Sequence, residues 1–189
     1  VRDEFDIPIM GVVIPGARAA VETTRNQKVG VIGTDATVQS GMYTKVIQSM
    51  APDIEVIEKA CPLFVPLVEE GFKEHVVTEE VIEYYLESMR HTQIDAMILG
   101  CTHFPLLAPI IEQVLPGVTL INSGREAAIR CAGILQQQGL LSDRQRPGNH
   151  HFCVSDRVDD FSSVATMFLG QPIRDDVEWV RLETIESAG

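Results

Sequence analysis

The stretch Ile94–Leu107, IDAMILGCTHFPLL, limits the possible folds more than any other part of the chain. Ala96 to Leu99 is an unbroken apolar run, the pattern of a short strand buried on both faces. Gly100 ends it, Cys101, Thr102 and His103 come next in succession, and Pro105 opens an apolar segment that continues to Leu115. Proline suits the first turn of a helix, where its missing N–H would have no intrahelical partner. Strand therefore gives way to helix within a few residues, with a thiol, a hydroxyl and an imidazole at the joint. A similar unit precedes it: VGVIGTDAT (29–37) is also an apolar run, a glycine, small hydroxylated residues and the start of a helix.

The rest of the chain keeps this rhythm. Ile7 to Ile14 reads as a strand broken by Pro15-Gly16, and Ala17 to Thr24 as a helix. Val29 to Ile32 is a strand, after which Thr34 or Thr37 is placed to cap a helix running to Met50. A strand at Ile54–Ile57 leads to Cys61-Pro62-Leu63 and a short helix or loop ending at Glu69, Glu70 and Gly71. Thr78 heads an amphipathic helix whose apolar face is Val81, Ile82, Tyr85, Leu86 and Met89. Beyond Pro116-Gly117, Val118–Ile121 is a strand, and Ser123-Gly-Arg-Glu126 has capping-box spacing for a helix to about Gln138. A polar loop (139–151) is succeeded by strand Phe152–Val154, helix Val158–Leu169, a last strand Val177–Leu182 and a polar tail. Alternation of this kind predicts an α/β fold with mostly parallel sheet flanked by helices.

In open α/β sheets, ligands bind beyond the carboxyl ends of strands, where helix N-termini direct N–H groups at anions. A thiol there is biased towards thiolate by the helix dipole. A nearby histidine favours the same ion or moves a substrate proton. Spacing alone leaves the plainer reading open, because cysteine is often an inert, buried apolar group.

Composition excludes several classes of function. With 189 residues, 45% hydrophobic, there is ample material for one medium domain or two small lobes. A net charge of -12 argues against nucleic acid and acidic membranes as partners. No apolar run approaches the roughly eighteen residues of a membrane helix, and no signal-peptide core is present. Cys61, Cys101, Cys131 and Cys153 form no CxxC pair, which fits reduced thiols in a cytoplasm and no zinc framework. Cys101 and His103 are two metal-type donors without an obvious third, so no metal is expected. The glycines at 30 and 33 do not make GxGxxG, and no GxSxG elbow occurs. Cys61 and Cys131 read as core, and His75, His91, His150 and His151 as surface. Glu69 and Glu70, by pattern alone, read as solvated acids. The opening VRDEFDIPIMGVV, which starts without Met, reads as a helix end running into a strand, so further sequence is expected upstream.

GCTHFPLL (100–107) resembles the second cysteine motif of the glutamate racemases, within the aspartate/glutamate racemase superfamily. FDIPIMGVVIPGA (5–17), VGVIGTDATVQSGMY (29–43), ACPLFVPLVEEG (60–71) and INSGREAA (121–128) resemble the same family in the same order. The resemblance implies two α/β lobes around a cleft, no cofactor and no metal, and two cysteines on opposite faces of the substrate α-carbon. It implies that Cys101 is one acid/base thiol, that Thr102 contacts substrate, that His103 assists the thiol, and that Glu69 is the acid grouped with it. Glu70 is the rival for that last role, and Thr34 and Thr37 are further candidate contacts.

The family's ACNT-type cysteine motif and its DSG and PYG loops are absent from this sequence. The expectation is therefore a second lobe at 16–121 and an incomplete first lobe at 1–15 and 122–189, the chain by itself being inactive. Glutamate is the expected ligand, D-glutamate for peptidoglycan the expected product, and a homodimer an arrangement the resemblance allows. An aspartate or hydantoin racemase, or a non-catalytic binding module, are the alternatives.

Overall fold

The short apolar runs become strands because a sheet covered by helices is the one arrangement that buries both of their faces. The computed structural model describes residues 7–143, 148–173 and 177–181. In chain order the first elements are α1 (Val13–Thr23), β1 (Lys28–Gly33), α2 (Asp35–Ser40), α3 (Met42–Met50), β2 (Glu55–Ala60), α4 (Phe64–Glu69) and α5 (Val76–Arg90). The remaining elements are β3 (Ala96–Leu99), a 3-10 turn (Phe104–Leu107), α6 (Ala108–Val114), β4 (Thr119–Asn122), α7 (Ser123–Gln137), β5 (Phe152–Val154), α8 (Val158–Leu169) and β6 (Val177–Trp179). The chain divides into two compact units, the first ending at Leu141 and the second beginning at Ser142.

The first unit is built on a four-stranded parallel sheet of order β2-β1-β3-β4. Alternate residues of the central strands face opposite sides. Val29, Val31, Ala96 and Ile98 pack with Ala17 and Ala20 of α1 and with Tyr43 and Ile47 of α3. The intervening residues face α5, where Gly30 lies against Met89, Ile94 and Met97. α4, α5 and the 3-10 turn meet through aromatic rings: Phe64 is 5.0 Å from Phe104 and 5.6 Å from Tyr85, centroid to centroid. Phe64 and Phe104 are both fully buried, and each contributes about 2–3 kcal/mol by leaving water.

The second unit carries β5 and β6, paired in parallel with Phe152 beside Val177, and α8, which ends at Gly170 in the left-handed conformation. Among the described residues no helix is long and apolar enough to cross a membrane.

Several boundaries differ from the sequence expectation, each for a local reason. Ile7 to Val12 finds no partner strand among the described residues, and the helix begins at Val13 instead. Pro15 is accommodated in its first turn, where no intrahelical N–H donor is required. The helix expected to reach Met50 is divided at Gly41, whose φ of +58° ends α2 and starts α3. His75, not Thr78, caps α5: its ring nitrogen accepts from the Val77 N–H at 3.2 Å. Asn122 rather than Ser123 caps α7, accepting from the Arg125 N–H at 3.1 Å. Cys131, expected in the core, is exposed on α7. The opening helix end (1–6), Pro147, Leu182 and the polar tail lie outside the described residues.

Asp95 ties the start of β3 to the turn before β1. Its carboxylate accepts from Thr24 Oγ1 at 2.6 Å and from the N–H groups of Arg25 and Asn26 at 2.7 and 3.1 Å. Partial burial works to raise the Asp95 pKa, but these hydrogen bonds together outweigh it and hold the carboxyl below its ordinary value. A carboxyl depressed in the folded state contributes stability at neutral pH that is lost as pH falls through its folded-state pKa. Asp95→Asn should therefore lower stability at pH 7 by about 1–2 kcal/mol. It should also flatten the fall in melting temperature on acidification, which thermal denaturation across the acid range measures.

Candidate active site

The order β2-β1-β3-β4 places a topological switch between β1 and β3. From β1 the chain winds to one side, to β2, and then crosses back to the other side, to β3. Crevices at such points, beyond the carboxyl ends of the strands, are where open α/β sheets bind ligands. The two similar stretches singled out in the sequence are these two strand ends, side by side.

Their loops are tied together. The Gly100 N–H donates to the Ile32 carbonyl at 2.8 Å, extending the β1–β3 pairing one step past β3. Thr34 caps α2 by accepting from the Thr37 N–H at 3.3 Å, and the two threonine hydroxyls are 3.1 Å apart. Thr37 Oγ1 makes a longer contact, 3.4 Å, with the Gly100 carbonyl. Gly100 must lack a side chain, because a Cβ would lie 2.9 Å from the Ile32 carbonyl oxygen, 3.2 Å from the Tyr43 ring and 3.3 Å from the Thr37 methyl. Below this joint the buried hydroxyls of Tyr43 and Ser123 are 2.9 Å apart, and Ser123 Oγ donates to the Leu99 carbonyl at 3.4 Å. Burial raises the Tyr43 pKa, with the Ser123 hydrogen bond opposing it, so the phenol stays protonated.

Cys101, Thr102 and His103 occupy the bend beyond Gly100. Cys101 is half-buried, and its Sγ is 3.9 Å from His103 Nδ1. Thr102 Oγ1 is 3.2 Å from the same nitrogen. On the other side of the ring, His103 Nε2 is 3.0 Å from Glu69 Oε1. The His103 side chain is 16% exposed and that of Glu69 48%, so the relay runs from the partly covered thiol out to solvent. A carboxylate only accepts, so the histidine places a proton on Nε2; in the neutral ring Nδ1 then offers a lone pair towards the sulfur. This arrangement is able to take the thiol proton and leave a thiolate beside an imidazolium, the usual way a cysteine becomes a proton-transfer group.

The structure thus brings together Cys101, Thr102, His103 and Glu69, with Thr34 and Thr37 on the adjoining loop. Glu70 is the C-cap of α4, one residue beyond the glutamate that reaches the ring. Tyr43 and Ser123, which brace the joint from beneath, escaped the sequence reading. Tyr43 carried no local signal, and Ser123 resembled a helix cap. A hollow of about 550 Å³, lined partly by Met89, Arg90, Ile94 and Val118, opens at the opposite, N-terminal ends of β3 and β4. It contains no cysteine, histidine or carboxylate, so it lacks the groups for proton transfer.

The other cysteines sit differently. Cys61 is fully buried after β2, its N–H bonded to the Gly33 carbonyl at 2.9 Å. Burial pushes its thiol up to about 12; Lys59 pulls the other way and Asp35 adds to the rise. Cys131 is exposed on α7, and Cys153 is exposed in the second unit.

The family model for Asp/Glu/hydantoin racemases matches residues 1–131. A glutamate racemase of Geobacter metallireducens is 42% identical over 175 residues, covering 92% of this chain and 65% of that protein. The chain thus spans just under two thirds of that curated relative. The crystal structure of glutamate racemase isoform RacE1 from Bacillus anthracis superposes with a TM-score of 0.86 at 35% identity, covering 96% of this chain and 67% of that one. The Francisella tularensis enzyme, solved in complex with D-glutamate, gives a TM-score of 0.83 at 32% identity over 94% of this chain and 65% of its own.

Two outcomes test this geometry. In the folded chain at neutral pH, a thiol reagent should modify Cys101, Cys131 and Cys153 but spare Cys61 until denaturant is added; mass spectrometry of the labelled peptides decides. Gly100→Ala should cost about 1–3 kcal/mol, the range for overpacking at a tight contact. It should also alter the labelling rate of Cys101 while leaving that of Cys153 unchanged.

Proposed function

The chain belongs to the Asp/Glu/hydantoin racemase family, and from that premise we propose that it carries one half of a glutamate racemase active site. The observation that supports this reading best is the Cys101–His103–Glu69 relay at the switch point. The family covers several substrates, and the identity to curated glutamate racemases favours glutamate over aspartate or hydantoins.

The α-hydrogen of an amino acid is a very weak acid. Removing it needs a preformed base, a proton donor on the opposite face, and fixed donors for the carboxylate as negative charge spreads into it. Cys101 serves as one of the two thiols. As thiolate it removes the α-proton in one direction, and as thiol it delivers one in the other. His103 holds the proton that the thiol loses, and Glu69 keeps the imidazole oriented and stabilises its charged form. Thr102, with Thr34 and Thr37 beside it, offers hydroxyl and backbone donors to the substrate.

The opposite face needs a second thiol. Cys61 is sealed and held protonated, Cys131 is exposed on α7, and Cys153 is exposed on β5 among His151 and Glu178, with no Thr or backbone donors of the Cys101 kind beside it among the described residues. We infer that the second thiol comes from outside these 189 residues. The lobe at 16–121 then supplies one wall of the cleft. The enzyme would work without a cofactor, supplying D-glutamate for peptidoglycan.

Three measurements bear on this. Completed with the part of a full-length relative that it does not span, the chain should interconvert L- and D-glutamate, and Cys101→Ala should abolish this. Exchange of the α-hydrogen with solvent deuterium should then survive for one enantiomer only; near-normal racemisation by the variant would falsify the role. In the same background His103→Asn and Glu69→Gln should lower kcat about 10²–10⁴-fold and by a smaller factor respectively, in line with the usual size of general acid–base contributions. The chain alone should show negligible turnover, and D-glutamate formation by it would contradict the two-thiol scheme.

A further inference from the structure

The second unit holds a cluster that the racemase reading does not use. The pairing of β5 with β6 sets Cys153 directly beside Glu178. His151 lies two residues before Cys153 and therefore on the same side of the chain. His151 Nε2 is 2.9 Å from Glu178 Oε2 and 3.8 Å from Cys153 Sγ, and the three donor atoms all lie within 4.8 Å of one another. Among the described residues this is the group of histidine, cysteine and carboxylate donors close enough to share an ion.

We propose that His151, Cys153 and Glu178 form a binding site for a borderline-soft divalent cation of the zinc class, clamping β5 to β6. The donor chemistry selects the ion. A thiolate and an imidazole suit zinc and its neighbours and do not suit magnesium or calcium, which take oxygen. Metal bonds of about 2.0–2.3 Å at tetrahedral angles put donors about 3.3–3.6 Å apart. The observed 2.9 and 3.8 Å from Nε2 bracket that spacing, and the sulfur and carboxylate oxygen, within 4.8 Å of each other, reach it by rotation of their exposed side chains.

One nitrogen, Nε2, faces both the sulfur and the carboxylate. The proton it directs at Glu178 is the one the ion replaces, while Cys153 loses its own proton to bind as thiolate. Thiolate and carboxylate together neutralise the two positive charges, and a water completes the fourth position. The two strands that carry Cys153 and Glu178 are already held, and His151 directly precedes the first of them. Phe152 packs on Phe161 at 6.2 Å between centroids, and the Val180 N–H bonds to the Val154 carbonyl at 2.7 Å. A two-stranded sheet of three residues a side is marginal alone, so a bond across it has a structural effect to produce.

The purified chain, titrated with zinc chloride by calorimetry, should bind one ion per chain in the micromolar range through this site. Cobalt chloride should give a sulfur-to-metal charge-transfer band with tetrahedral d–d absorption. Cys153→Ser should remove the charge-transfer band, and His151→Ala and Glu178→Gln should each weaken binding by about tenfold or more. Binding should persist in a Cys101→Ala, Cys131→Ser double variant, which separates this site from the other accessible thiols. Zinc should also slow amide exchange at 152–154 and 177–180 and shield Cys153 from alkylation. Circular dichroism checks that each variant is folded; the substituted side chains are exposed, so it should be. The proposal is overturned if micromolar zinc gives no binding, or if Cys153→Ser binds as well as the parent chain. Neither result bears on racemisation, which does not involve these residues.

Discussion

One backbone hydrogen bond organises the candidate site: the Gly100 N–H to the carbonyl of Ile32, at 2.8 Å. It carries the parallel ladder one residue beyond β3 and so holds two strand ends in step at the point where the chain reverses its direction of winding. The absence of a Cβ at Gly100 permits it, since any side chain there would strike the carbonyl that accepts the bond. This contact aims the Cys101–His103 bend, and Thr37 draws the loop after Gly33 against it. The thiol, the imidazole and the threonine hydroxyls share one opening because two parallel strands are locked in register.

The layers around the sheet serve the same end. Packing on one face, through Ala17, Ala20, Tyr43 and Ile47, brings the phenol of Tyr43 under the joint, where it meets Ser123. Packing on the other face, through Phe64 and Phe104, fixes α4 against the turn after His103. Because α4 ends at Glu69, this aromatic contact sets the distance between carboxylate and imidazole. Apolar packing therefore decides a polar geometry. Two thirds of a relay, Cys101 and His103, come from one loop; the third member arrives from thirty-four residues away on the strength of two phenylalanines.

The four cysteines illustrate how environment divides a single chemistry. Cys61 and Cys101 both come after strands of the same sheet. One is fully buried, so its ionised form lacks solvation and the thiol is pushed up to about 12. The other is half-open beside a histidine. The apolar residues of α7 suggest an interior place for Cys131, but in the described structure its face of the helix looks outward. Helical periodicity identifies a stripe; it does not say which stripe is covered.

The alternation of apolar runs and turn residues determined the class of fold, and β3, β5 and α8 lie at the bounds that pattern suggested, because those signals are local. Gly100, Cys101 and His103 were legible as a joint for the same reason: strand, glycine and helix start are contiguous. Boundaries set by competition between neighbours were not legible. Asn122 and Ser123 both have capping chemistry, and only the burial of Ser123 against Tyr43 and Leu99 leaves the cap to Asn122. The segment 7–12 has strand composition yet no adjacent strand among the described residues, and a strand exists only with a partner. The choice of Glu69 over Glu70, the sealing of Cys61 and the meeting of His151, Cys153 and Glu178 likewise depend on which distant segments come to lie side by side. That is fixed by packing and strand register, interactions between residues far apart along the chain, which no local pattern encodes.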